Sequence, residues 1–314
     1  MDSDFRQGEG RVFQTLDELV SAAASNGPVN VAVAAGHSPE SITALKEAAE
    51  LGLAEGIFIG DARKIWELAQ EAGFDLPSHR VLNEPDDAKA AKLAVEMVRN
   101  GNASLLMKGK LATAQLVRAV IDRESGLRTG RLLSQVIVFQ VPGFDRLMLM
   151  TDAAINIAPT LPQKAELCRN AIEVAHAIGM ERPNLALLCA LEKVNPEMPA
   201  TVDAAALVAM NRRGQIGGAF LDGPVALDAP LSRFAAQCKG IESPIVENTD
   251  IFLAPDIEAA NILYRAILYF ARGESAGVVV GAKVPLVLLS RAESPETKIR
   301  SIALAVLVAR HTAK

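Results

Sequence analysis

Short β-rich apolar runs alternate with amphipathic helical stretches along almost the whole sequence, and this alternation is the strongest constraint on the fold. Val29–Ala34 is an apolar run followed by Gly36-His37-Ser38-Pro39. Ser38 suits a helix N-cap, Pro39 the first helical position, and Glu40 the electropositive first turn. Apolar residues then recur at Ile42, Leu45, Ala48, Ala49 and Leu51, and Gly52 stops the helix. A second buried strand, Gly56–Gly60, leads to Asp61, which caps another helix running to Ala72-Gly73. Consecutive parallel strands need a crossover of a dozen or more residues, and a helix is the usual crossover. The pattern therefore predicts an α/β chain with a parallel sheet.

The same grammar continues downstream. Lys89–Arg99 and Thr113–Ile121 read as helices around an extended Ser104–Met107. Val136–Val141 and Leu147–Met150 read as neighbouring strands joined through the turn-forming Pro142-Gly143-Phe144-Asp145. A long helix from Pro162 to Ile178 precedes an apolar strand, Leu185–Leu191, and a helix, Val202–Met210. Short strands at Ala219–Leu221 and Ile251–Ala254, a helix at Asp256–Phe270, strands at Val278–Val280 and Val284–Leu289, and a helix at Glu296–Arg310 complete the series. At ~150 residues per domain, 314 residues suggest two domains.

Composition removes several function classes. With 32 basic against 37 acidic residues the net charge is −5, which argues against phosphate-neutralising nucleic-acid binding. No apolar stretch is long enough to span a bilayer, since Lys283 interrupts Val278–Ser290. The polar start, Met1–Gly10, lacks the pattern of a signal peptide. Cys168, Cys189 and Cys238 are odd in number and lack C-x-x-C spacing, and His37, His79, His176 and His311 are dispersed. Neither a disulfide framework nor a zinc site is readable. A soluble, cytoplasmic chain without membrane or nucleic-acid partners is the expectation.

Ligands of parallel-sheet proteins bind beyond the carboxyl ends of strands, so strand-to-loop junctions are the places to search. Five stand out. Leu105–Met107 runs into Lys108-Gly109-Lys110, where Leu111 and a distant Gly101 exclude a P-loop, leaving an anion contact or merely solvated lysines. Gly126-Leu127-Arg128-Thr129-Gly130-Arg131, followed by Ser134, places two guanidinium groups where they suit a phosphate fork. Thr151-Asp152 to Asn156 follows a strand and reads either as a site or as a turn before the long helix. Leu221-Asp222-Gly223-Pro224 reads as a strand and then an acidic turn, with Asp228 capping the next helix. Finally, Ser290-Arg291-Ala292-Glu293 sits where a buried strand ends, before Ser294 and Pro295 as cap and first residue of the last helix.

Taken together and in order, these motifs resemble the phosphate acetyl/butyryltransferase family from Met107 to the C-terminus. The resemblance also runs through Pro142-Gly143-Phe144-Asp145-Arg146, Asn156-Ile157-Ala158-Pro159-Thr160, Ala254-Pro255-Asp256 with Asn261, and Val280-Gly281-Ala282-Lys283-Val284-Pro285. The spelling Leu127–Ser134 and the Ser-Arg-Ala-acid-Ser ending are more like the butyryl branch. Two positions depart from the acetyl-branch pattern. Thr297 stands where that branch has an aspartate, and Ala260 where the family has a glycine.

The resemblance implies two α/β domains with a cleft between them, like the isocitrate/isopropylmalate dehydrogenase fold, divided as 1–148 plus 281–314 against 149–280. It implies exchange of a short acyl group, butyryl-like or acetyl, between coenzyme A and phosphate, with coenzyme A as substrate, no cofactor or metal, and a homodimer. By the same resemblance Ser290, Arg291 and Glu293 are catalytic. Ser290 would bond the reacting thiol or carbonyl oxygen, Arg291 would meet phosphate or developing charge, and Glu293 (or Glu296) would replace the missing aspartate. Lys108, Arg128, Arg131, Ser134, Asp152, Asn156 and Lys283 are the substrate-binding candidates. Two other readings stay open. An NAD-dependent decarboxylating dehydrogenase would need an aspartate cluster and a Tyr–Lys pair, yet Tyr264 and Tyr269 share one helix. A non-catalytic acyl-CoA-binding homologue is suggested by Thr297.

Overall fold

The computed structural model describes residues 12–288 and 293–313. The chain begins with α1 (Leu16–Ala24), β1 (Val29–Ala34), α2 (Pro39–Glu50), β2 (Ala54–Gly60), α3 (Ala62–Glu71), β3 (Val81–Asn83), α4 (Asp87–Arg99), β4 (Leu105–Lys108) and α5 (Thr113–Val120). It continues through β5 (Ser134–Gln140), β6 (Met148–Thr151), α6 (Leu161–Ala177), β7 (Asn184–Leu188), α7 (Pro199–Arg212), β8 (Phe220–Val225), α8 (Asp228–Leu231), α9 (Arg233–Cys238), β9 (Ile251–Leu253) and α10 (Ile257–Tyr269). It closes with β10 (Glu274–Val280), β11 (Leu286–Val287) and α11 (Pro295–Thr312).

Local chemistry sets five of the helix starts. Ser38, Asp61, Asp86, Asp256 and Ser294 each accept a backbone N–H three residues on, at 3.2, 3.2, 2.9, 2.8 and 3.2 Å. Each bond satisfies one of the orphan donors of a first helical turn. Asp228 does not cap a helix: it is the first residue of α8, and its carboxylate accepts from Lys239 Nζ instead. The expected turn at Asp222-Gly223-Pro224 lies inside β8, which continues to Val225. Gly223 allows this, because a Cβ there would stand 2.7 Å from Leu187 Cβ, and the β7–β8 register shifts at the same place. Of the strand expected over Val284–Leu289, the described residues form only Leu286–Val287, since Pro285 has no N–H for a ladder, and Leu289 lies outside the described residues.

The chain forms two compact units, one of Leu16–Gln135 with Ser275–Lys314 and one of Met1–Thr15 with Val136–Glu274. Two of their three boundaries fall inside β5 and β10, and the third falls where α1 begins. In the first unit β3, β2, β1, β4 and β11 lie side by side and parallel, with β10 antiparallel at β11. The last helix is tied to the first: Arg300 pairs with Asp17 at 2.9 Å, and Arg310 donates to Ala23 O at 2.7 Å. In the second unit the β5–β6 hairpin is antiparallel, as its turn residues predict, and β6, β9, β7 and β8 are parallel. Phe139, Met150, Ala186, Phe252 and Tyr264 belong to its core. Each parallel set thus exposes one carboxyl edge, where loops gather.

Candidate functional site

At the carboxyl edge of the first unit, Lys108 ends β4 beside Ala34, the end of β1. Its half-buried side chain donates to Gly109 O at 3.3 Å and to Leu111 O at 3.5 Å. The backbone then turns tightly against β1, with Gly109 N–H to Ala34 O and Lys110 N–H to Ala35 O, both 2.8 Å. Only glycine fits the first position, because a Cβ on Gly109 would meet Ala35 O at 2.1 Å. Val287, the last residue of β11, pairs in parallel with Met107 at this same edge. The catalytic candidates Ser290 and Arg291 lie outside the described residues. Glu293 is half-buried immediately before Ser294, the cap of α11. Thr297 donates its N–H to that cap, and its hydroxyl lies 3.3 Å from Ser294 Oγ.

Two separate sequence motifs join elsewhere in this unit. Arg128 bridges to Ala282, Thr129 Oγ1 donates to Gly281 O at 2.6 Å, and Lys283 N–H donates to Leu127 O at 2.9 Å. Gly281 is required here twice over, by its φ of +99° and by a would-be Cβ only 2.1 Å from Leu132 O. Arg128 and Arg131 are exposed, while Ser134 is fully buried at the start of β5. Lys283 reaches Arg99 O at 3.4 Å, at the end of α4 where the chain enters β4. Lys283 thus reaches the end of the chain that leads into β4, whereas Lys108 is the last residue of β4, beside the end of β11. The structure therefore groups Arg128 with Lys283, and Lys108 with the end of β11.

The second unit gathers its candidates at the carboxyl edge of β6 and β9. Asp152 is 2% exposed. Its carboxylate accepts from the N–H groups of Ala154, Ile155 and Asn156 at 2.9, 3.1 and 3.2 Å, and from Asn156 Nδ2 at 2.6 Å. Burial pushes this carboxyl upward in pKa, against the pull of those donors. Asn261 Nδ2 holds Ala153 O at 3.1 Å, and Ile257 N–H meets Ile157 O at 3.0 Å. The Thr151–Pro159 and Pro255–Asn261 motifs thus form one loop cluster with a buried carboxylate at its centre.

Sequence reasoning missed two buried groups. His37 lies at the carboxyl end of β1, 7% exposed. Lys164 of α6 pairs with Asp203 of α7 at 2.8 Å, its side chain 8% exposed. A lone histidine in a turn and a lysine in a helix carry no sequence signal, because only packing decides that they are buried. Cys189, beside this pair, has its thiol pushed up to about 11 by burial. Among the described residues no group of three or more His, Cys, Asp or Glu is placed to hold a metal, and no helix is long and apolar enough to cross a membrane.

Comparison with known proteins agrees with the motif reading. A family model described as Phosphate acetyl/butaryl transferase matches residues 63–306. The chain is 43% identical over 298 residues to a phosphate butyryltransferase of Clostridium acetobutylicum, covering 95% of this chain and 99% of that one. It is 41% identical over 294 residues to a phosphate acetyltransferase of Thermotoga maritima, covering 94% and 99%. Among solved structures, a branched-chain phosphotransacylase from Enterococcus faecalis V583 is 32% identical with a TM-score of 0.77, covering 90% and 99%. A 4-hydroxythreonine-4-phosphate dehydrogenase from Klebsiella pneumoniae, 15% identical with a TM-score of 0.53 and covering 90% and 99%, shares the fold alone.

Proposed function

Because this chain belongs to the phosphate acetyl/butyryl transferase family and is an acyltransferase, we propose that it exchanges a short acyl group between coenzyme A and inorganic phosphate. The observation that carries this reading is the match to phosphate butyryltransferase over 95% of the chain. In the forward direction a phosphate oxygen attacks the thioester carbonyl, the resulting tetrahedral oxyanion collapses, and the C–S bond breaks to leave acyl phosphate and the CoA thiolate. The thiolate then takes up a proton. Three demands follow: an anchor for phosphate, a donor for the oxyanion, and a group that manages the thiol proton.

Arg291 and Ser290 are proposed for the charge and the reacting oxygen or sulfur, and Lys108, beside the end of β11, for substrate binding. Oxyanion donors of this kind are typically worth ~3–4 kcal/mol. Arg128 and Arg131, exposed and carried by a braced loop, are proposed for phosphate. Ser134 supports that loop, and Lys283 takes part through its backbone bond to Leu127. Asp152 and Asn156 act by shaping the loop after β6. Glu293 is proposed as the base, since a threonine hydroxyl at 297 titrates far from neutrality. The two-domain organisation that the resemblance implies is part of the same proposal. So is a homodimer in the cytoplasm, where both substrates reside. Its support is the exposed apolar face of α10, with Ile262 70%, Tyr269 71% and the following Phe270 90% exposed.

The test is a thiol-release assay with butyryl-CoA and acetyl-CoA, run with and without phosphate, with acyl phosphate trapped as the hydroxamate. Phosphate-dependent release of both products is expected, with butyryl-CoA favoured modestly, since a methylene in an apolar pocket is worth only ~1–3 kcal/mol. Thiol release that ignores phosphate would sink the reading. A preference for acetyl-CoA would move the protein to the acetyl branch within the same reaction.

A further inference from the structure

His37 occupies a place where three helix starts and one turn of the first unit meet. It directly precedes Ser38, the cap of α2. Its Nδ1 accepts the N–H of Asp61, the cap of α3, at 3.4 Å. Its Nε2 faces Asp87 Oδ1, in the first turn of α4, at 3.5 Å. Room for the ring comes from Gly60, where a Cβ would stand 2.6 Å from Nδ1. The bond from Asp61 N–H requires an unprotonated Nδ1, so the neutral ring carries its proton on Nε2, toward Asp87.

The turn holding this ring also carries Lys108. Ala35, at φ +52°, and Ala34 accept the N–H groups of Lys110 and Gly109, and Gly36 N–H is bound to Ile59 O at 2.9 Å. Gly109 has no slack against Ala35 O, so residues 108–110 must move with residues 34–37. We infer that His37 is a positioning residue: its neutral ring locks the Ala35–Ser38 turn to the starts of α3 and α4, and through that turn sets the Lys108–Lys110 turn, which acid releases. The inference rests on the proposed substrate-binding role of Lys108.

Protonation converts Nδ1 from acceptor to donor, so that it opposes the Asp61 N–H, and adds a cation near Lys64 of α3 and Lys110 after β4. Asp87 and Asp61 pull the other way. Burial dominates this balance and lowers the pKa of His37 below its ordinary value. A histidine with a depressed folded-state pKa contributes stability that is present above the unfolded value of ~6.5 and is lost as pH falls through the folded value.

The experiment compares wild type with His37→Asn between pH 5 and 8, because asparagine keeps an acceptor near the Nδ1 position and cannot titrate. In wild type the urea-unfolding constant should rise below pH ~6.5, by up to about tenfold per pH unit. The amide resonances of Gly109 and Lys110 should follow the midpoint of the His37 ring, and the KM for acyl-CoA should rise in the same window. All three changes should flatten in His37→Asn, and Asp87→Asn should move the midpoint still lower. The same acid step in both proteins, or amides that ignore the ring, overturns the inference. Amides that follow the ring while KM stays level, in an enzyme with confirmed acyltransfer, overturn the role of Lys108 and with it the positioning role. Absence of acyltransfer itself overturns the proposed function and leaves the structural arms readable.

Discussion

Gly109 and Gly281 show how single atoms set the shape of the candidate site. Each would place a Cβ 2.1 Å from a carbonyl oxygen, far inside contact distance. Gly109→Ala and Gly281→Ala should each lose at least about 2 kcal/mol in urea unfolding, because backbone must move to relieve the clash. Gly143→Ala is the control: it has φ +94° but open space around it, so only the ~1 kcal/mol cost of the left-handed conformation applies. A loss in Gly281→Ala no larger than in Gly143→Ala would show that conformation, rather than close approach, governs position 281, and no loss in Gly109→Ala would show that the turn yields to the added methyl. Arg291 carries the chemical counterpart. Arg291→Ala should cost at least ~3 kcal/mol in transition-state stabilisation, read from kcat/KM, and Arg291→Lys should restore only part, since a point charge cannot reproduce the planar fork. Asp152 was legible as a junction residue but not as the acceptor of four bonds. That number depends on how the next residues fold back over it.

Helix starts were the most legible elements, because a cap and its first turn are local chemistry. Ser38-Pro39, Asp61 and Ser294-Pro295 all begin helices as their spelling predicts. Ser294→Ala should therefore destabilise the protein by about 1 kcal/mol through loss of the Thr297 N–H partner, while Ser294→Asp should not. Thr297→Asp adds a carboxylate in the first turn of α11, which favours the helix slightly. A large rate gain in that variant, with Glu293→Gln silent, would show that the enzyme lacks its own base. An unchanged rate, with a hundredfold loss in Glu293→Gln, would assign the base to Glu293. Strand ends were less legible. Asp222-Gly223-Pro224 spells a turn, yet pairing of Asp222 and Val225 with Ala186 and Leu188 of β7 keeps it in β8. Val81–Asn83 is too short to show any period, and pairing with β2 alone makes it a strand.

Two of the three boundaries between the compact units lie inside strands, β5 and β10, rather than in exposed linkers. Limited proteolysis of the native protein should therefore leave residues 133–138 and 273–277 intact, because cleavage needs several residues to leave a ladder first. Early cuts there, detected by mass spectrometry, would show that the strands open independently. Activity should survive EDTA, since the proposed chemistry uses cations of the chain itself. Loss with EDTA and recovery with added metal would overturn that view. The α/β class, the hairpin at Pro142–Asp145, the caps at Ser38, Asp61 and Ser294 and the family followed from residues near one another in sequence, because periodicity, turn chemistry and motif spelling are local. The joining of Leu127–Ser134 to Gly281–Lys283, the separation of Lys283 from Lys108, and the burial of His37 among three helix starts did not. Those depend on strand order and register, which bring together segments about 150 residues apart and are set by the packing of the entire core.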